Sequence, residues 1–455
     1  MSKCLFVLVA ALALFVAPVG AQQPAGPARL SVPYEMFTLP NGLTVILNED
    51  HSVPKVAVNI WYHVGSSYEK PGRTGFAHLF EHLMFEGSGH VKPGQFDNLL
   101  EAAGGSNNGS TTEDRTNYYE EVPSNALDLP LYLESDRMGY LLDIVTPQTV
   151  DSQRDVVKNE LRQRYQNTPY GQAFLRMTEL LYPKDHPYHW PVIGYMDDLS
   201  AASQEDVVDF FKSYYAPGNA SLVISGDITP ADVRKRVEYW FGDVKPGPRI
   251  PLQKVPAAEL TSVVKETLQD RVQLPRIYLA WLTPGLHEPG DAELDMVSGV
   301  LAGGKNSRLY KRLVYDLQLA QDVNAAQNSS RYGSIYTIVV TARPSQDPPD
   351  QVLARLTAVV DEELDKLRAT PPDAREVERA RNSIEASFYS NIETVAGKAD
   401  QLNAYFTATG NPDYFAEDLG RYQSLAPDDI QAAIKHWLPA DRRLELSVVP
   451  QTETK

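Results

Sequence analysis

The pentad His78-Leu79-Phe80-Glu81-His82 puts two imidazoles and a carboxylate inside a short apolar stretch, Gly75 to Phe85, that reads as a helix. At about 100° per residue, His78 and His82 fall about 40° apart on one face, and Glu81 lies about 60° to the other side of His78. This pattern suits a zinc ion held by His78 and His82, with Glu81 left free to take a proton from water. The glutamate precedes the second histidine, which is the inverted H-x-x-E-H order. With nine histidines in the chain, a chance match is expected on the order of one time in a hundred. The competing reading is two half-buried histidines bonded to backbone carbonyls, with Glu81 an i, i+3 partner of His78.

A zinc held by two histidines needs a third protein ligand and keeps its fourth position open. Glu160 ends a helical stripe that runs through Val150, Gln153 and Val157, and a carboxylate on such a partly apolar line calls for a cation. Arg164, one turn further on, could be that cation without any metal. Spacing alone therefore leaves Glu160 open between metal ligand and surface ion pair.

The elements that must hold these groups recur in two halves. In the first, Asn41-Gly42 turns between two apolar runs, and Val56, Val58, Ile60, Tyr62 and Val64 alternate as a half-buried strand should. The pentad helix follows, then a helix near 94–103, short strands around 106–112 and 116–122, and helices to about Tyr215. Strand 220–225 and a helix after Thr229, opened by Pro230, close the half. Pro246, Pro248, Pro251 and Pro256 mark a linker. Beyond it come strand 277–282, helices 291–301 and 307–317, strands near 323 and 335–342, long helices, and a last strand 444–449. The expected fold class is α+β: two similar halves, each a mainly antiparallel sheet with helices packed on one face. The expected division is a signal peptide at 1–21, an N-terminal zinc-binding domain at 22–245, the linker at 246–258 and a C-terminal domain at 259–455. The second half lacks H-x-x-E-H, so one metal site per chain is expected.

Lys3, the apolar run Leu5 to Val16 and the small residues Val19-Gly20-Ala21 have the form of a cleaved secretory signal. The expected location is periplasmic or secreted. The one cysteine, Cys4, falls within that segment, so zinc must be held by nitrogen and oxygen. A net charge of −17 argues against nucleic acid and anionic membranes as partners. No later apolar run approaches about 20 residues, so no membrane anchor is expected.

His78 to His82 followed at long distance by Asn159-Glu160 resembles the zinc site of the M16 metallopeptidases, the pitrilysin, insulinase and mitochondrial processing peptidase family. Tyr214-Tyr215-Ala216-Pro217, Ser225-Gly226-Asp227, and Gly303-Gly304 with Ser307-Arg308-Leu309-Tyr310 extend the resemblance over most of the chain, in the manner of the short two-domain branch. The resemblance implies that His78, His82 and Glu160 are the zinc ligands and Glu81 the general base. It implies a substrate-binding edge strand at Gly104 to Thr111, with Asn108, Gly109 and Ser110 against an extended peptide; Gly109 stands where the family usually has alanine. Gln153 occupies the position of a supporting glutamate, beside the zinc ligands. Active members present an arginine and a tyrosine, seven apart, from the second half, and here those positions read Val314 and Gln321; Tyr310, Arg312 and Tyr315 are out of register. The implied activity is hydrolysis of short or unfolded peptides inside a closed chamber of two such units. The missing pair points to a homologous zinc-less subunit as partner, with a homodimer as the other arrangement. The alternative is a non-catalytic assembly subunit of a related complex.

Overall fold

Two sheets with one strand pattern organise the chain. The computed structural model describes residues 29–451, so the expected signal peptide at 1–21 lies outside the described residues. The first sheet contains β1 (Glu35–Thr38), β2 (Thr44–Glu49), β3 (Lys55–Tyr62), β4 (Ser106–Thr111), β5 (Thr116–Pro123) and β6 (Ala220–Gly226), in the order β1-β2-β6-β3-β5-β4. The second contains β7 (Val264–Asp270), β8 (Arg276–Thr283), β9 (Ala320–Asn328), β10 (Ser334–Ala342) and β11 (Leu444–Pro450), in the order β7-β11-β8-β10-β9. One pair in each sheet is parallel, β2 with β6 and β7 with β11, and the rest are antiparallel. The α+β reading with two mainly antiparallel sheets thus holds, and β7 joins it as a strand absent from the sequence reading.

The turn at Asn41-Gly42 joins β1 to β2 as expected, with Gly42 at φ 98°. The helix after Thr229 has Pro230 in its first turn, but the Thr229 side chain makes no capping bond. The segment of prolines from 246 to 258 carries no helix or strand.

The helices of the first half cover one face of the first sheet and enclose a core that includes Val56, Val58, Ile60, Leu79, Phe80 and Val157. The alternating strand is not half-buried, however. Ala57, Asn59 and Trp61 are buried too, because the helix Val395–Thr409, from the second half, lies on that face against β3 and β6. Asn403 of that helix is fully buried; its amide donates to the carbonyls of Asn59 and Ser221 at 3.2 Å, and the Ser221 hydroxyl donates to it.

The exchange is reciprocal. The helix Gly171–Leu181, from the first half, packs on β11, where Ala173, Met177 and Leu181 meet Tyr278, Ala280, Leu444, Leu446 and Val448. Arg176 grips Glu266 of β7 through Nε at 2.7 Å and Nη2 at 2.9 Å. Replacing Asn403 by alanine leaves buried polar groups of both halves unpaired, and is expected to lower stability by about 2 kcal/mol. Urea unfolding of the variant against the parent chain measures this.

Candidate active site

The pentad lies in an eight-residue helix, Phe76–Leu83, wedged under the first sheet by Phe76, Leu79, Phe80 and Leu83. The helix is held at both ends by buried polar side chains. Glu69 accepts the backbone N–H of Gly75 at 2.9 Å and of Ala77 at 2.8 Å, so a carboxylate sits on the positive end of the helix dipole. Burial pushes this carboxyl up to about 8, against the pull of those N–H groups. Beyond the other end, Arg137 reaches the carbonyl of Met84. Arg137 is 1% exposed and donates to Glu134 and Glu120, with its guanidinium 4.2 Å from the Tyr118 ring, 4.5 Å from Phe96 and 5.3 Å from Phe85. Burial, together with the Glu134 charge, pushes the Glu120 carboxyl well up despite that guanidinium.

Glu160 comes from the helix Pro147–Leu161, whose Thr146 hydroxyl caps the first turn by accepting the Thr149 N–H. Its Oε2 lies 3.1 Å from His82 Nε2 and 3.7 Å from His78 Nε2, while Oε1 takes Arg164 Nη1 at 2.8 Å. The Arg164 ion pair of the sequence reading is present, and it leaves the other oxygen beside the two imidazoles. One oxygen faces the imidazoles and the other takes the arginine. The donor atoms of His78, His82 and Glu160 all lie within 4.8 Å of one another.

This donor set fits a zinc ion. Burial, with His82 beside it, pushes the His78 imidazole down to about 4, so it is neutral and has a lone pair to give. Against the cost of burial, the His82 hydrogen bond and the charges around it hold the Glu160 carboxyl below the usual carboxylate range, so it is ionised. His78 Nδ1 is buried with no hydrogen-bond partner among the described residues, so packing rather than a second hydrogen bond sets the ring.

Glu81 points from the same helix toward the end of β4. Thr111 Oγ1 donates to its Oε2 at 2.6 Å, and burial pushes the carboxyl up. A carboxylate with raised proton affinity beside a metal-ligand cluster can accept a proton from water and return it. Gln153 is buried two turns before Glu160 on the same helix. No hydrogen bond from it to His78, His82 or Glu160 occurs among the described residues.

β4 is the outer strand of its sheet. The Thr112 N–H bonds to the Arg115 carbonyl at 2.9 Å, and with Ser110 opposite Asn117 and Asn108 opposite Tyr119, the strict alternation of an antiparallel ladder turns the backbone groups of Asn107, Gly109 and Thr111 to the open edge. Of the three expected substrate-binding residues, Gly109 offers that edge. The Asn108 carboxamide folds back to accept the Gly109 N–H at 2.8 Å. Ser110 turns its hydroxyl to Asn117 and Arg115, on the face away from Glu81. A Cβ at Gly109 would stand 3.1 Å from Phe85 and 3.2 Å from Tyr118, which explains glycine here.

Glu69 and Arg137 complete the site without having signalled it in the sequence, where isolated charged residues read as surface, and Thr111, the end of the expected edge strand, adds the hydroxyl on Glu81. Val314 is buried in the core of the second half and Gln321 is exposed on β9. Neither supplies a cation or a phenol.

The family model described as insulinase (peptidase family M16) matches residues 44–179, and that of the peptidase M16 inactive domain matches residues 201–384. A curated relative named zinc protease PqqE, from Helicobacter pylori, is 30% identical over 82% of this chain and 83% of its own length. An uncharacterized zinc protease from Bacillus subtilis, YmxG, is 22% identical over 80% of this chain and 85% of its own. A crystal structure of a protease from Helicobacter pylori superposes with a TM-score of 0.84 at 25% identity, covering 92% of this chain and all of that one. The first half of the periplasmic protease PqqL from Escherichia coli matches with a TM-score of 0.74 at 16% identity, over 92% of each chain, and so shares the fold.

Replacing Arg137 by methionine removes the cation from two buried glutamates and is expected to cost about 3–5 kcal/mol at pH 7. Urea unfolding of the variant against the parent chain at pH 7 tests this.

Proposed function

The chain belongs to the M16 peptidase family, and from that membership we propose that it is an exported zinc-dependent endopeptidase carrying one zinc ion per chain on His78, His82 and Glu160. The observation that carries the proposal is the convergence of two imidazoles, an ionised carboxylate and the raised Glu81 carboxyl next to an open strand edge. Bound there, zinc would supply Lewis acidity toward a peptide carbonyl and make water easier to deprotonate.

The chain's own residues do the rest. The open edge of β4 receives an extended peptide through the backbone of Asn107, Gly109 and Thr111, once the Asn108 carboxamide releases the Gly109 N–H. Thr111 holds Glu81 Oε2, leaving Oε1 to take the water proton and pass it to the leaving amine. Gln153, buried two turns before Glu160, packs the same helix without a bond to the ligand carboxylate among the described residues. The substrates are short or unfolded peptides, which alone can present an unpaired extended strand inside a closed two-unit chamber. Val314 and Gln321 leave the developing oxyanion without an arginine–tyrosine pair, so the partner is a homologous subunit that brings one. The domain limits that go with this reading are 22–245 and 259–455, joined by 246–258.

Glu81→Gln is expected to keep one zinc per chain and to lower kcat by about a thousandfold, whereas Glu160→Gln should lose the metal. Metal analysis beside hydrolysis of a quenched fluorescent peptide separates them, and unchanged turnover in Glu81→Gln would remove the general-base role. Mixing the purified chain with a homologue lacking H-x-x-E-H should raise turnover at least tenfold. Full activity of the isolated chain would dismiss the need for that partner.

A further inference from the structure

The face of β4 turned away from Glu81 borders a cavity for which the catalytic groups have no use. Thr111 and Gly109 direct themselves to the pentad helix, whereas Ser106 and Ser110 line a space of about 320 Å³ on the opposite face, together with Asn59, Asn117, Arg115 and Asp400. The far wall is the exchanged helix Val395–Thr409, whose Ala396 and Ala399 take up little of the space.

Asp400 is set into this wall in an unusual way for a carboxylate. Its Oδ1 accepts the side-chain amides of Asn59 at 3.2 Å and Asn117 at 3.4 Å, and both asparagines are almost fully buried. Among the described residues no cation comes within 4.0 Å of it. Arg115, the neighbouring cation, spends Nη1 on the Ser110 carbonyl and hydroxyl and on Asn117, and lies over the Trp61 ring at 5.1 Å. Asp400 is thus a negative charge held in place by neutral donors, at the side of a cavity that reaches the edge strand. Glu121, which also lines the cavity, already pairs with Lys55 at 2.5 Å.

A peptide added to β4 keeps the two-residue alternation of the sheet, so every second side chain points to this face. We propose that the cavity is a side-chain subsite for a lysine or arginine of the bound peptide, with Asp400 as the residue that selects it. The space admits a long side chain, the amides fix the carboxylate in a single orientation, and the incoming cation supplies a direct ion pair where Arg115 acts on Asp400 only through space. The proposal rests on the peptidase reading for its strand-docked substrate. It goes beyond that reading in assigning a charge preference to a residue of the second half.

The test uses the full chain with zinc and a set of fluorogenic decapeptides of alanine and serine, in which one lysine is moved through successive positions. In the parent, lysine at one position, or at positions two apart, raises kcat/KM over the all-neutral peptide. Asp400→Asn, close in shape and able to keep its asparagine contacts, lowers that lysine-to-neutral ratio about tenfold. Asp400→Lys moves the preference to a glutamate at the same position. The same peptides, labelled, are titrated onto the Glu81→Gln chain with and without Asp400→Asn. A tenfold loss of the binding ratio with no cleavage by the parent keeps the subsite and sinks the peptidase reading. A lysine-to-neutral ratio that Asp400→Asn leaves unchanged in both cleavage and binding overturns the subsite.

Discussion

A helix of eight residues has almost no stability of its own in water, since nucleation costs more than its few hydrogen bonds return. The geometry of His78, Glu81 and His82 therefore depends on what grips the two ends of Phe76–Leu83. Glu69 accepts the N-terminal N–H groups and Arg137 reaches the carbonyl just past the C-terminus, an acceptor on the donor end of the helix and a cation on the end that favours one. Both side chains are buried, so water does not compete for these bonds, and Arg137 is itself held by Glu120, Glu134 and three aromatic rings. A rigid pentad follows from rigid helix ends.

The duplication shows what such a helix becomes when its chemistry is withdrawn. Gly75 and Gly290 both take positive φ at the N-cap of the helix that follows the central strand of their sheet. Counting from these glycines, His78, Glu81 and His82 correspond to Glu293, Met296 and Val297. Met296 and Val297 are fully buried, so the face that gathers a metal-ligand cluster in one half closes into apolar core in the other. The second half instead contributes a helix to the first sheet, and with it Asp400 and Asn403.

The parts legible in the sequence are those whose signal is local. Asn41-Gly42 announces a turn because two residues suffice to make one, and the pentad announces a site because helical spacing alone brings its groups together. Glu160 was legible as a charged residue on an apolar stripe, but the spacing could not choose between metal ligand and Arg164 partner, and the structure places it against Arg164 and both imidazoles at once. What escaped is non-local. β7, Val-Lys-Glu-Thr-Leu-Gln-Asp, is too polar to read as a strand and gains its place by parallel pairing with β11, far along the chain. Asn59 and Trp61 looked like the wet side of a strand because the helix that buries them lies over 300 residues later. Glu69 and Arg137 looked like ordinary surface charges, since nothing local tells a buried carboxylate or guanidinium from a solvated one.

The reciprocal exchange of Gly171–Leu181 and Val395–Thr409 also sets an order of events during synthesis. The first sheet can collapse onto its own helices early, yet one face stays uncovered until the chain has been made past Thr409, and the second sheet waits for its last strand, Leu444–Pro450. Long-range closure of this kind is slow and leaves a half-made chain exposing sheet surface. The cluster of His78, His82 and Glu160, built wholly from residues 78 to 160, can therefore assemble well before the molecule that encloses it is finished, in a chain still open to solvent.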